Sequence, residues 1–134
     1  MVAVEMTEKA FQAQVVAFLQ DHGYLVYHTF DSRRCEPGYP DLDVVAGPNW
    51  QSCYIAHFFV ELKREHGRLT DDQQKWIDCL RAVGETVHVW RPSEWPNIQR
   101  LFDLPASRTA MAKDRNDRVS YLEARKLMAS AGKE

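Results

Sequence analysis

Two short stretches of this 134-residue chain place carboxylates inside runs that otherwise read as buried β-strands. In Gly38-Tyr39-Pro40-Asp41-Leu42-Asp43-Val44-Val45 the intruders are Asp41 and Asp43. In Phe58-Phe59-Val60-Glu61-Leu62-Lys63 they are Glu61 and, two residues on, the ammonium of Lys63. Burying a carboxylate costs several kcal/mol unless something pairs with it. Side chains on a strand alternate faces, so Asp41 and Asp43 share a face opposite Leu42 and Val44. By the same rule Glu61 and Lys63 point one way, together with Ile55, His57 and Phe59. If these two strands pair, Asp41 meets Glu61 across the ladder.

Two carboxylates at that distance repel, and one takes up a proton unless a cation sits between them. Mg²⁺ is the natural occupant, with Mn²⁺ as substitute, because it binds one or two carboxylates and leaves room for water and phosphate oxygens. The backbone carbonyl of Leu62 offers a further oxygen. Lys63 beside such an ion can orient an attacking water or stabilise charge growing on a phosphorus-bound oxygen. That is the chemistry of phosphodiester hydrolysis. Taken singly, E-x-K is a common salt-bridged strand edge and P-D an ordinary step from turn to strand. The specific feature is their combination: P-D opens one apolar strand, E-x-K closes the next, and a helix follows.

The elements that must position these groups are legible in the patterning. Residues from Thr7 to Asp21 carry Phe11, Val15, Phe18 and Leu19 at helical spacing, with Gly23 as a stop. Strands follow at Tyr24 to His28, Asp41 to Ala46 and Tyr54 to Lys63, the first two separated by a Pro/Gly loop. Thr70 caps a second helix that runs to Gly84, with Trp76, Ile77, Leu80 and Val83 as its apolar stripe. A fourth strand reads from Glu85 to Trp90, and Pro92 opens a short helix through Phe102. The order α-β-β-β-α-β predicts an α/β fold. Its first three strands form an antiparallel meander, and a helical crossover returns the fourth in parallel.

The composition, 45% hydrophobic and 27% charged, is that of a single globular domain with its own core. No apolar run has the length of a membrane span, and the N-terminus lacks the pattern of a secretory signal, so a cytoplasmic location is expected. The three cysteines (Cys35, Cys53, Cys79) are widely spaced with no C-x-x-C pair, which argues against a zinc site or a disulfide framework. Nor do the histidines show ligand spacing. The net charge of −2 gives no overall basic footprint. Arg33, Arg34, Lys63, Arg64, His66, Arg68 and Lys75 nevertheless flank the two acidic segments.

The chain resembles the VRR-NUC group of the PD-(D/E)XK nuclease superfamily. The resemblance runs from about Glu5 to Leu101. Its residues are Thr7-Glu8, Phe11-Gln12, Gln14-Val15-Val16, Tyr27-His28-Thr29, Asp31-Ser32-Arg33-Arg34, Gly38, Pro40-Asp41-Leu42, Glu61-Leu62-Lys63, Gly67-Arg68, Thr70, Gln73, Trp76, Gly84 and Val89-Trp90-Arg91-Pro92. It implies a restriction-endonuclease-like core, with a mixed central sheet flanked by helices, over residues 1–103. Residues 104–134 then form a linker and a polar C-terminal helix or mobile tail. Carried over residue by residue, Asp41 and Glu61 are metal ligands and Lys63 the catalytic lysine. Glu8 is the first-helix acid near the metal, and Gln73 the helix glutamine near the site or the DNA backbone. His28, Arg33, Arg34 and Arg68 are expected to contact DNA. Asp43 stands where the group usually has an apolar residue. The activity implied is Mg²⁺-dependent, structure-specific DNA cleavage on branched or four-way DNA, in the manner of Holliday junction resolvases. A homodimer is expected, paired through a sheet edge or through aromatics near Trp50 and Trp95. A phage or prophage source is plausible for a stand-alone member. The alternatives are a binding module that kept the fold and lost catalysis, a less selective DNA nickase, and a structural protein whose acids are merely paired.

Overall fold

The computed structural model describes residues 5–29, 36–52 and 54–103. Helix α1 (Glu8–Asp21) is followed by strands β1 (Tyr24–His28), β2 (Leu42–Ala46) and β3 (His57–Leu62). Helix α2 (Asp71–Ala82), strand β4 (Val87–Trp90), a 3₁₀ turn (Pro92–Glu94) and helix α3 (Trp95–Asp103) complete the described chain. The sheet order is β1-β2-β3-β4. The first two pairings are antiparallel, and β3 pairs with β4 in parallel. This is the mixed sheet expected of α-β-β-β-α-β. No helix among the described residues is long and apolar enough to cross a membrane. The linker and tail expected over residues 104–134 lie outside the described residues.

Both faces of the sheet are covered where β3 runs. Phe58, Val60 and Leu62 join Phe11, Val15 and Leu19 of α1, and Ile98 and Phe102 of α3, in one apolar cluster. Phe59 faces the other way, onto Ile77 of α2 and Val87 of β4. Five consecutive residues of β3, Phe58 to Leu62, are therefore buried. Glu61, two residues from Phe59, lies on the α2 side.

Several boundaries differ from the sequence reading, each for a local reason. β3 starts at His57 rather than Tyr54 because Tyr54 turns inward. Its N–H bonds the Ser52 hydroxyl, and its own hydroxyl lies 2.6 Å from His88 Nε2. Ile55 consequently packs with the α1 cluster rather than on the Glu61 face. β4 starts at Val87 because Glu85 N–H instead bonds Leu80 O, closing the end of α2. Val83 belongs to no stripe; it is the C-cap of α2 and 77% exposed. Trp50 and Trp95 are partly buried and pack against the main core.

Gly38 fixes the approach of the loop that delivers Asp41. Its φ is +86°, a left-handed conformation costly for any residue with a side chain. A Cβ there would also come within 2.3 Å of the Asp72 carbonyl carbon and 2.6 Å of Gln73 N. The loop before β2 thus lies backbone to backbone against the first turn of α2.

Candidate active site

The β2–β3 register pairs Leu42 with Val60 and Asp43 with Phe59. Continued by one residue, it sets Asp41 opposite Glu61, as the alternation argument requires. Pro40, which precedes Asp41, is fully buried and fixes the chain's entry into the strand. Asp41 Oδ2 accepts a 2.7 Å hydrogen bond from Leu62 N–H, tying the end of β3 to the start of β2 through a side chain. Lys63 lies one residue beyond β3, and its N–H bonds Trp90 O at 3.0 Å, so its backbone is still held by β4. Lys63 is only 8% exposed and Glu61 only 2%.

Gln73 connects α2 to this pair. Its carbonyl oxygen accepts the Thr70 N–H at 2.9 Å, while Thr70 Oγ1 accepts the Gln73 N–H at 3.1 Å, a reciprocal cap at the helix start. With the carbonyl committed, the amide nitrogen is the group left to donate, and it bonds Glu61 Oε1 at 2.9 Å. The other oxygen, Glu61 Oε2, is buried without a hydrogen-bond partner. A buried carboxylate oxygen in that condition is costly, and either a proton shared with Asp41 or a cation would satisfy it.

The electrostatics point the same way. Burial raises the Asp41 pKa above the ordinary carboxylate range, against the opposing effect of the Leu62 N–H, with Glu8 adding repulsion and Lys63 relieving it. Glu61 is raised further, to about 9, first by burial and then by Asp41, with Lys63 again pulling the other way. Without a cation the two carboxyls therefore favour holding a proton between them. Replacing that proton by Mg²⁺ or Mn²⁺ suits the donor set of two hard carboxylates, with the Leu62 carbonyl next to them in the chain.

Glu8 stands at the rim. It repels both carboxylates, yet its Oε1 accepts a long 3.5 Å bond from Arg64 N–H. Among the described residues no three His, Cys, Asp or Glu side chains gather closely enough to hold an ion. The convergent core of the site is thus Asp41, Glu61, Lys63 and Gln73. His28 pairs with Leu42 at the end of β1, one residue from Asp41. Arg68 is exposed on the β3–α2 loop. Arg33 and Arg34 lie outside the described residues. Asp43, which shares a face with Asp41, is engaged elsewhere: its Oδ1 lies 2.8 Å from His57 Nε2, and His57 Nδ1 lies 3.5 Å from Glu85 Oε2. Arg91, Ser93 and Glu5, which bond the turn after Lys63, were not singled out from the sequence for this contact. The run Val89-Trp90-Arg91-Pro92 marked that region but not the contact.

Known proteins resemble this chain in sequence and in fold. Fanconi-associated nuclease 1 from Danio rerio is 38% identical over 82 residues, covering 58% of this chain and 8% of that protein, so this chain spans a small part of its relative. A solved structure described as a VRR_NUC domain protein superposes with a TM-score of 0.54 at 19% identity, covering 74% of this chain and 89% of the other, a likeness of fold. The VRR-NUC domain matches residues 1–93, which include every member of the Asp41, Glu61, Lys63 and Gln73 constellation. The chain belongs to the VRR-NUC family.

Proposed function

We propose that this domain is a divalent-metal-dependent DNA endonuclease that hydrolyses phosphodiester bonds. The observation that carries the reading is the buried Asp41–Glu61 pair, with one carboxylate oxygen unsatisfied and Lys63 beside it at the end of β3. Asp41 and Glu61 would hold Mg²⁺ or Mn²⁺, with the Leu62 carbonyl as a further donor and Glu8 at the margin. When bound, the ion supplies Lewis acidity toward a phosphate oxygen and an acidified water. Gln73 fixes the Glu61 carboxylate, so that its second oxygen stays directed at the site. Lys63, held on a backbone locked to β4, sets a positive charge beside the scissile phosphate, where it stabilises charge developing in the transition state.

The relative's name, a nuclease, supports the same activity here. We extend the reading to branched DNA, four-way junctions included, cut by a homodimer: one site nicks one strand, and two symmetric cuts need two sites, which a twofold dimer supplies. The test is incubation of the protein with linear, flap and four-way DNA, with Mg²⁺ and with chelator. Metal-dependent cleavage favouring four-way DNA is expected, together with a dimeric mass by light scattering. Absence of cleavage on all three substrates in Mg²⁺ and in Mn²⁺ would overturn the enzymatic reading. Equal cleavage of linear and branched DNA by a monomer would overturn only the junction specificity.

A further inference from the structure

The turn that follows Lys63 is held more firmly than a surface turn needs to be. Gly67 N–H bonds Arg64 O at 3.1 Å, closing Arg64 to Gly67 on itself. From the β4 side, Arg91 Nη2 donates to Gly67 O at 2.7 Å, and Ser93 N–H donates to Glu65 Oε2 at 2.9 Å. The Ser93 contact holds the Glu65 carboxyl below its ordinary pKa. From the α1 side, Glu5 Oε1 accepts His66 N–H at 3.3 Å and Glu8 Oε1 accepts Arg64 N–H at 3.5 Å. Four contacts from two separate segments thus converge on one four-residue turn.

What the turn presents is basic. Arg64, His66 and Arg68 are exposed, whereas Glu65 and Gly67 between them are partly buried. The anchoring bonds use backbone groups and the Glu65 carboxylate, not the guanidiniums. Among the described residues no carboxylate pairs with the Arg64 or Arg68 side chain. The turn also lies close to the site itself: a Cβ added at Gly67 would come within 3.6 Å of Lys63 Cδ. A fixed backbone lowers the entropy lost when long basic side chains grip a phosphate, and phosphate contacts of this kind position DNA without reading its bases.

We infer that Arg64, His66 and Arg68 form a grip for the DNA phosphates next to the scissile bond, and that Arg91 is its positioning residue, acting through Gly67. The assignment rests on the nuclease reading for its ligand. It adds residues that the metal-centre argument does not require. Arg91 does not touch DNA in this arrangement; it holds the turn from behind.

Binding and cleavage measured separately test it. Affinity for a four-way DNA is followed against salt in Ca²⁺, and kcat and KM are measured in Mg²⁺. Arg64→Gln and Arg68→Gln should each lower the slope of log affinity against log salt by about 0.9. Each should raise KM about tenfold with little change in kcat. Arg91→Gln should leave the salt slope near that of the wild type, because its own charge meets no phosphate. It should raise KM and also lower kcat, because the turn lies close against the Lys63 stem. Arg91→Lys, which keeps a donor, should recover part of the loss. If Arg91→Gln fails to fold, Glu65→Ala releases the turn from the Ser93 side and should show the same pattern. Wild-type slopes and KM in an Arg64→Gln/Arg68→Gln double variant would overturn the grip. A slope reduced by Arg91→Gln as much as by Arg64→Gln would overturn the positioning role. Because the salt series needs only binding, a wild-type protein that cuts nothing defeats the nuclease reading without deciding this one.

Discussion

Replacing Glu61 by glutamine should make the metal-free protein more stable at neutral pH while destroying its function. The carboxyl is 2% exposed and its pKa is raised to about 9 by burial and by Asp41, against an ordinary value of 4.5. Between those two values the folded chain holds a proton that the unfolded chain releases. Stability therefore falls as pH rises through that window, by about 1.4 kcal/mol per pH unit while the fold keeps the proton. Below it both states are protonated and the effect is absent. From about pH 6 to about pH 7.5 the wild type should lose roughly 2 kcal/mol from this group alone. Glutamine does not titrate, and it retains the shape and a carbonyl acceptor for Gln73, so the loss vanishes in the variant. Urea denaturation in chelator, across that range, reads the difference directly as a midpoint shift at constant slope. The stability gap between variant and wild type should widen by about 2 kcal/mol in favour of Glu61→Gln. Adding Mg²⁺ should close the gap by stabilising only the wild type, by about 2.7 kcal/mol at a hundredfold excess over Kd. A gap that stays constant with pH would refute the buried, proton-sharing pair, and with it the main electrostatic argument for a cation.

Other outcomes follow from the same geometry. Lys63→Ala should abolish DNA cleavage while leaving Mn²⁺ binding by calorimetry close to wild type, since an ammonium would sit beside an ion held by Asp41 and Glu61 rather than ligate it. Ca²⁺, larger and looser in its coordination than Mg²⁺, should support DNA binding in a mobility-shift assay without cleavage. Gly38→Ala should cost about 1–3 kcal/mol in thermal or urea unfolding, because a left-handed φ and a collision with the backbone of α2 coincide there. Acid should weaken the fold through His88, whose burial lowers its pKa to about 4. The unfolded chain takes up that proton first, so stability falls as pH drops from about 6.5 toward about 4, and His88→Gln should flatten that limb of the profile.

The Asp41–Glu61 pair was legible in the sequence because a strand's period of two leaves little freedom. Once the second and third strands pair antiparallel, Asp41 can reach Glu61 and the side-chain faces follow. Gln73 was legible through the family resemblance, but its bond to Glu61 depends on how α2 meets the sheet. That meeting is set by Gly38 touching Asp72, a contact between backbones that no side-chain pattern announces. Ile55 and Val83 were misplaced because periodicity was extended past the true ends of an element, where Tyr54 turns inward and α2 has already closed. The contact that Arg91 makes could not be read, although the run Val89-Trp90-Arg91-Pro92 marked the residue. Its bond to Gly67 O joins two irregular segments, and irregular backbone has no period to extrapolate.

The central claim is that Asp41 and Glu61 form one cation site, and Mn²⁺ binding followed by its paramagnetic resonance signal tests it without reference to any substrate. The wild type should bind Mn²⁺ with an affinity that rises with pH, as the shared proton is displaced. Asp41→Asn and Glu61→Gln should each weaken binding severely, whereas Asp43→Asn should not. Equal Mn²⁺ affinity in the wild type, Asp41→Asn and Glu61→Gln would contradict the account.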